Sequence, residues 1–260
     1  MDLDGICDRP LLEVCVDNAR GLDAARRGGA DRIELCSALA LDGLTPSAGL
    51  MRTAARLDRP VYAMIRPRDG DFVFSEADVD IMLRDIDAAR DAGLRGVVLG
   101  ANLPSGELDS VVLARLCRHA AGLGMTLHRS IDLVPDPIAA VDLAVELGFE
   151  RILTSGGADR APNGIDQIAR MVARAGGRLS IMAGSGVTPR NASEILRLTG
   201  VRELHGSCGA PAEANSRFAT LASSASRETS AEIVAELIGV LARHASELRF
   251  GGHALSAVSS

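Results

Sequence analysis

Two short stretches of this chain carry side chains able to do chemistry together. In A-D-R-I-E-L-C (30–36), alternation at period 2 sends Arg32, Glu34 and Cys36 to one face of a strand, and Ile33 and Leu35 to the other. In L-L-E-V-C-V (Leu11–Val16) the same alternation aligns Glu13 with Cys15. Charged groups and thiols in a row are costly to bury for packing alone. The two strands are therefore expected to line one space, with two carboxylates and two thiols facing it.

That space suits two chemistries. Cys15 and Cys36, with Met64, Met182, His128 and His205 in similar positions, are soft or borderline donors of the kind that favours Cu(I). No C-x-x-C or H-x-x-x-H motif accompanies them, and buried cysteine also packs as a small hydrophobe. The second chemistry is acid–base catalysis, with Glu13 and Glu34 as acid and base and His128 as proton shuttle. Arg32 and Arg66 would then clamp an anion. Its structural alternative is a layer of internal salt bridges, since buried charges are normally paired. A third feature is A-G-S-G-V-T-P (183–189) followed by H-G-S (205–207). There Gly184, Ser185, Gly186 and Ser207 could present backbone N–H groups to an anion, or form only a tight turn.

What positions these groups is a regular alternation of strands and helices. Strands are expected at 11–16, 32–36, 61–66, 96–100, 125–129, 151–155, 179–184 and 202–206. Helices are expected at 18–29, 46–57, 75–92, 109–121, 136–147, 164–175, 189–198 and 228–246. Thr45-Pro46, Asp136-Pro137 and Thr188-Pro189 read as helix starts, Ser75 with Asp78 as a capping box, and Gly29, Gly93, Gly148 and Gly200 as helix ends. One helix-to-strand junction is written four times, from Gly29, Gly93, Gly148 and Gly200. Aligned on the glycine, Glu34, Val98, Leu153 and His205 fall at one position, and Cys36, Gly100, Ser155 and Ser207 at another. Eight such units predict a single-domain (β/α)8 barrel rather than an open doubly wound sheet, with residues 11–246 in the barrel. Residues 1–10 are expected to form an arm and 247–260 a flexible tail. The long 207–227 segment has no pattern and follows the eighth strand, where a lid could lie.

Composition narrows the class. The 260 residues carry a formal charge of −6, which argues against nucleic acid or an anionic membrane as partner. No apolar run reaches the ~20 residues of a membrane span. Five cysteines, an odd number, after a start without signal character imply cytoplasmic thiols rather than a disulfide framework.

The chain resembles the CutC family. The resemblance rests on L-E-V-C-V-D (12–17), G-G-A-D-R-I-E-L-C (28–36), D-G-L-T-P-S (42–47) and M-I-R-P-R-x-G-D-F (64–72). It continues through H-R-S-I-D (128–132), R-I-L-T-S-G (151–156), I-M-A-G-S-G-V (181–187) and E-L-H-G-S (203–207). It implies a (β/α)8 barrel in a cytoplasmic homo-oligomer, dimer or tetramer, linked to copper tolerance and binding Cu(I). The acids, arginine and histidine at the barrel mouth keep open an enzyme acting on a small phosphorylated or carboxylated metabolite. Asp69, Ser130-Ile131 and Cys208 depart from the family pattern.

Overall fold

A computed structural model describes residues 9–211 and 227–256. Eight parallel strands close into a barrel in sequence order: β1 (Leu11–Val16), β2 (Arg32–Leu35), β3 (Val61–Met64), β4 (Gly96–Leu99), β5 (Gly124–Leu127), β6 (Arg151–Thr154), β7 (Ser180–Ala183) and β8 (Glu203–Gly206). The helices α1 (Ala19–Gly28), α2 (Ala48–Ala54), α3 (Glu76–Ala92), α4 (Ser110–His119), α5 (Pro137–Glu146), α6 (Ile165–Ala175), α7 (Ala192–Thr199) and α8 (Ala231–Ser256) follow the strands in turn. The protein is a single-domain (β/α)8 barrel.

The period-2 reading of the strands explains the layering. Leu12, Val14 and Val16 of β1 and Ile33 and Leu35 of β2 point outward under the helices and are wholly buried. Each such side chain contributes about 1.5–3 kcal/mol by leaving water. The alternate residues point into the barrel, which is filled rather than hollow. Near its base the Tyr62 ring lies across the interior, and the first residues of β4 and β5 are glycine because a Cβ there would strike it. At Gly96 the Cβ would fall 2.2 Å from Tyr62 Cε1, and at Gly124 it would fall 2.3 Å from the phenol oxygen.

The capping signals hold at Asp136, whose carboxylate accepts from Ile138 and Ala139 N–H, and at the Ser75–Asp78 box. Two helix starts are corrected. Ser47 caps α2 through Leu50 N–H, and α7 begins after Asn191, so Thr45-Pro46 and Thr188-Pro189 lie in the preceding loops. A proline fits a turn as well as a first helical turn, which is why the dipeptide misplaced the boundary. The last helix runs to Ser256, past the expected end at 246. The patternless segment begins and ends in an antiparallel ribbon of β9 (Gly209–Pro211) and β10 (Arg227–Thr229). The part of the expected lid at 212–226 lies outside the described residues, as does most of the expected arm.

Candidate metal and acid–base site

The inward-facing side chains form two tiers. The lower tier is an ion-pair layer. Arg32 donates through Nε to Glu13 and through Nη2 to Glu203, while Arg151 Nε lies 3.3 Å from the same Glu203 carboxylate. Burial alone would raise the pKa of Glu203, but Arg32 and Arg151 outweigh it and hold the group below the ordinary carboxylate value. Burial disfavours the charge on Arg32, yet Glu13 and Glu203 keep its pKa above the usual value. Arg32 is therefore consumed by its neighbours. The expectation that it clamps an outside anion is corrected, and Glu13 acts first as its counter-ion. Glu203 and Arg151 were absent from the sequence-level candidates. The signal was present: each lies two residues before an inward position on its strand, His205 and Leu153.

The upper tier opens on a cavity of about 1260 Å³ at the C-terminal end of the barrel. Its lining includes Cys15, Glu34, Met64, Arg66, His128 and His205, together with Ser185, Gly186 and Ser207. The strand register brings Cys15 of β1 beside Glu34 of β2, and Glu13 of β1 beside His205 of β8. As a result, one ligand atom each from Cys15, Glu34 and His205 lies within 4.8 Å of the others, and all three residues are buried. His205 Nε2 is 2.8 Å from Glu34 Oε2 and 3.8 Å from Glu13 Oε1. Burial opposes charge on His205, but the Cys15 sulfur and the Glu34 carboxylate prevail. Its pKa stands well above that of an ordinary imidazole. Glu34 Oε1 is buried without a hydrogen-bond partner.

Cys36 is not part of this cluster. It sits just past the end of β2, two residues beyond Glu34, among Tyr62, Met64, Val98 and Leu39. Burial first, then Glu34 and Cys15, push its thiol well above the ordinary value. Cys208 lines the cavity near the site, and its thiol is raised to about 12 by burial and by Cys15.

His128 differs from its expected role. Its Nδ1 accepts from Ser130 N–H at 3.1 Å, which leaves the ring proton on Nε2. Burial, reinforced by Arg66, lowers its pKa to about 3. A ring so reluctant to take a proton does not shuttle one at neutral pH. His205 is held at the opposite extreme, with its proton retained by Cys15 and Glu34, and the sequence flagged it only as a soft ligand. Arg66 also lies at the cavity wall. Its guanidinium donates to the main-chain oxygens of Leu41 (2.8 Å), Gly43 (3.2 Å) and Gly70 (2.8 Å). Both His128 Nε2 and Arg66 Nε are buried without a partner, a state that costs about 1–3 kcal/mol per donor.

The glycine loop after β7 turns through left-handed conformations at Ser185 (φ 72°) and Gly186 (φ 72°). Among the described residues the N–H groups of Ser185, Gly186 and Ser207 donate to nothing. Gly184 does not join them, because its N–H is spent on Thr154 O at 2.9 Å. The Arg160 side chain lies against Gly186, where a Cβ would come 2.9 Å from Arg160 Cδ. A supporting shelf holds this end together. Asp132, half-buried, accepts from Arg129 Nε (2.8 Å), Ser155 N (3.0 Å), Ser155 Oγ (2.9 Å) and Gly157 N (3.0 Å), tying the loop after β5 to the loop after β6.

A thiol, an imidazole and a carboxylate converging on one point form a donor set able to hold a metal ion. Sulfur and nitrogen match a soft ion, and the carboxylate can take up the proton or charge displaced by it. Comparison with known proteins shows the family. Residues 10–210 match the profile of the CutC family. A CutC family protein of Caulobacter vibrioides is 60% identical over 203 residues, 78% of this chain and 83% of the relative. One from Sinorhizobium medicae is 58% identical over 208 residues, 80% of this chain and 85% of the relative. The solved structure of a CutC protein from Streptococcus agalactiae, named for copper homeostasis, superposes with a TM-score of 0.73 at 33% identity. It covers 76% of this chain and 98% of its own. A thiamine phosphate pyrophosphorylase from Pyrococcus furiosus, 15% identical with a TM-score of 0.56, shares the fold alone. From its barrel to the motifs at the barrel mouth, this chain belongs to the CutC family.

Proposed function

We propose that the protein binds Cu(I) as cargo in copper homeostasis. The reading is carried by the convergence of Cys15, Glu34 and His205 within 4.8 Å. Cys15 is the first sulfur ligand and His205 the nitrogen ligand. Cys36, on the neighbouring strand, supplies the second sulfur after local rearrangement, and Glu34 receives the proton that His205 gives up. The name of the Streptococcus agalactiae relative supports the same role. In this reading the protein works in the cytoplasm as a homo-oligomer, dimer or tetramer. Exposed apolar side chains such as Val111 and Leu133 support self-association, and light scattering tests it. No described helix is long and apolar enough to cross a membrane. Titration of the reduced protein against a chromophoric Cu(I) chelator tests the proposal, which requires that Cys15→Ser lose the competition.

One observation favours a second reading. A cavity of about 1260 Å³ exceeds the roughly 300–1,000 Å³ of common small-molecule pockets and far exceeds a bare ion. In this reading the barrel is an enzyme acting on a small phosphorylated or carboxylated metabolite, with Glu34 and His205 exchanging the proton. The glycine loop would take a phosphate at the N–H groups of Ser185, Gly186 and Ser207, with Arg160 beside it. Saturable phosphate binding at that loop in metal-free protein would support it.

A further inference from the structure

Arg66 carries a positive charge at the cavity wall, yet its guanidinium meets main-chain oxygens and the face of Phe72 but no carboxylate among the described residues. Asp42 and Asp69 act on it only at longer range, with Arg68 opposing them. Buried or nearly buried charges are stable only when paired, and Arg66 is 4% exposed. Among the described residues no carboxylate forms an ion pair with it, and its Nε is left without a partner. Beside it stands His128, 3% exposed, fixed by Ser130 N–H as the Nε2–H tautomer. Its single donor is also unspent. The two residues share one cover, the half-buried Phe72. The ring of Phe72 lies 5.0 Å from Arg66 Cζ and 4.7 Å from the His128 centroid. Phe72 belongs to the loop between β3 and α3, its main chain tied to Asn102 N–H at 2.9 Å, so opening the site asks only its ring to turn aside.

We propose that Arg66 and His128, under Phe72, form a subsite for the carboxylate group of a small molecule. Two nitrogens without a partner, Arg66 Nε on a cation and His128 Nε2 on a neutral ring, match the two oxygens of a carboxylate. A phosphate would ask for more donors than this place offers. Neutral His128 suits the task because it donates without adding a second charge beside Arg66. The subsite shares the cavity with Cys15, Glu34 and His205 but rests on neither reading of their function.

The test is a side-chain ¹H–¹⁵N NMR titration of the metal-free, reduced protein, with the His128 Nε2–H resonance assigned by its loss in His128→Gln. Sodium acetate is expected to move that resonance saturably, whereas sodium chloride at matched ionic strength is not. Phe72→Leu should bind acetate at least as tightly. Arg66→Lys should weaken it by about tenfold or more, as loss of the charge-assisted hydrogen bond from Nε implies. Cys15→Ser should leave the titration unchanged, which separates this subsite from the metal reading. A resonance that never saturates with acetate, in wild type or in Phe72→Leu, would mean that trapped water alone meets these donors and would overturn the subsite. So would an equal response to chloride, or tighter binding of inorganic phosphate than of acetate. The wild-type and Phe72→Leu titrations decide the matter even if Arg66→Lys does not fold.

Discussion

His205 reaches across β1 to place its Nε2 2.8 Å from Glu34 Oε2, joining β8 to β2 over the strand that separates them. This contact crosses the seam where the barrel closes, and Cys15 lies on the bridged strand. A proton, a thiol and a carboxylate are thereby held at one point by three different strands.

The charge on His205 depends on that contact. Glu34→Gln removes one of the two groups that hold its pKa up against burial. The imidazole pKa should fall, as followed by NMR titration of the ring. A pKa that stays where it was would mean that Glu34 does not set the protonation of His205.

The lower tier should behave as a structural unit. Arg32→Met strands Glu13 and leaves Glu203 with Arg151 alone, and loss of one partner of a buried pair costs about 3–5 kcal/mol. Urea denaturation should show a loss of that order. Glu203→Gln, which leaves Arg32 with Glu13, should cost less. Equal effects would break the description of Arg32 as the hub of this layer.

His128 makes the protein acid-sensitive. Its folded pKa of about 3 lies below the ordinary value of 6.5. Its contribution to stability is therefore complete above about pH 6.5 and is lost as the pH falls from there towards 3. At pH 4.5 the loss amounts to roughly 3 kcal/mol. Denaturation curves at pH 7 and pH 4.5 should converge in His128→Gln relative to wild type. An identical pH dependence in the two proteins would remove His128 from the explanation.

The glycine loop can be probed by charge. Gly186→Asp places a carboxylate where the second reading puts a phosphate; its Cβ must push the Arg160 side chain aside, and aspartate is among the few residues that enter the left-handed region. Phosphate-induced amide shifts at Ser185 and Ser207 should disappear in the variant. If they persist, the loop is a turn and nothing more.

The barrel and the contents of its mouth were legible in the sequence because period-2 alternation and the repeated glycine junction carry long-range information. Glu34, Cys15 and Arg66 lie where those patterns put them. Roles were harder to read, because a role depends on who stands opposite. Glu13 and Glu34 have the same spacing to a cysteine, yet one faces Arg32 and the other His205, and no local pattern distinguishes them. His128 looked like a proton carrier until Ser130 N–H fixed its tautomer and burial beside Arg66 kept it neutral. Cys36 follows Glu34 on the same face but lies two residues beyond it, just past the end of β2 and outside the cluster. That placement is set by how β2 aligns with β1, which the sequence of β2 alone does not contain.

The most direct measurement is the Cu(I) competition titration of the reduced protein, comparing wild type with Cys15→Ser and Cys36→Ser while thermal melting is followed alongside. Binding centred on Cys15 and His205 predicts that Cys15→Ser loses Cu(I) to the chelator and that Cys36→Ser is weakened, with melting temperatures nearly unchanged. Cu(I) affinity in Cys15→Ser equal to that of wild type would contradict it.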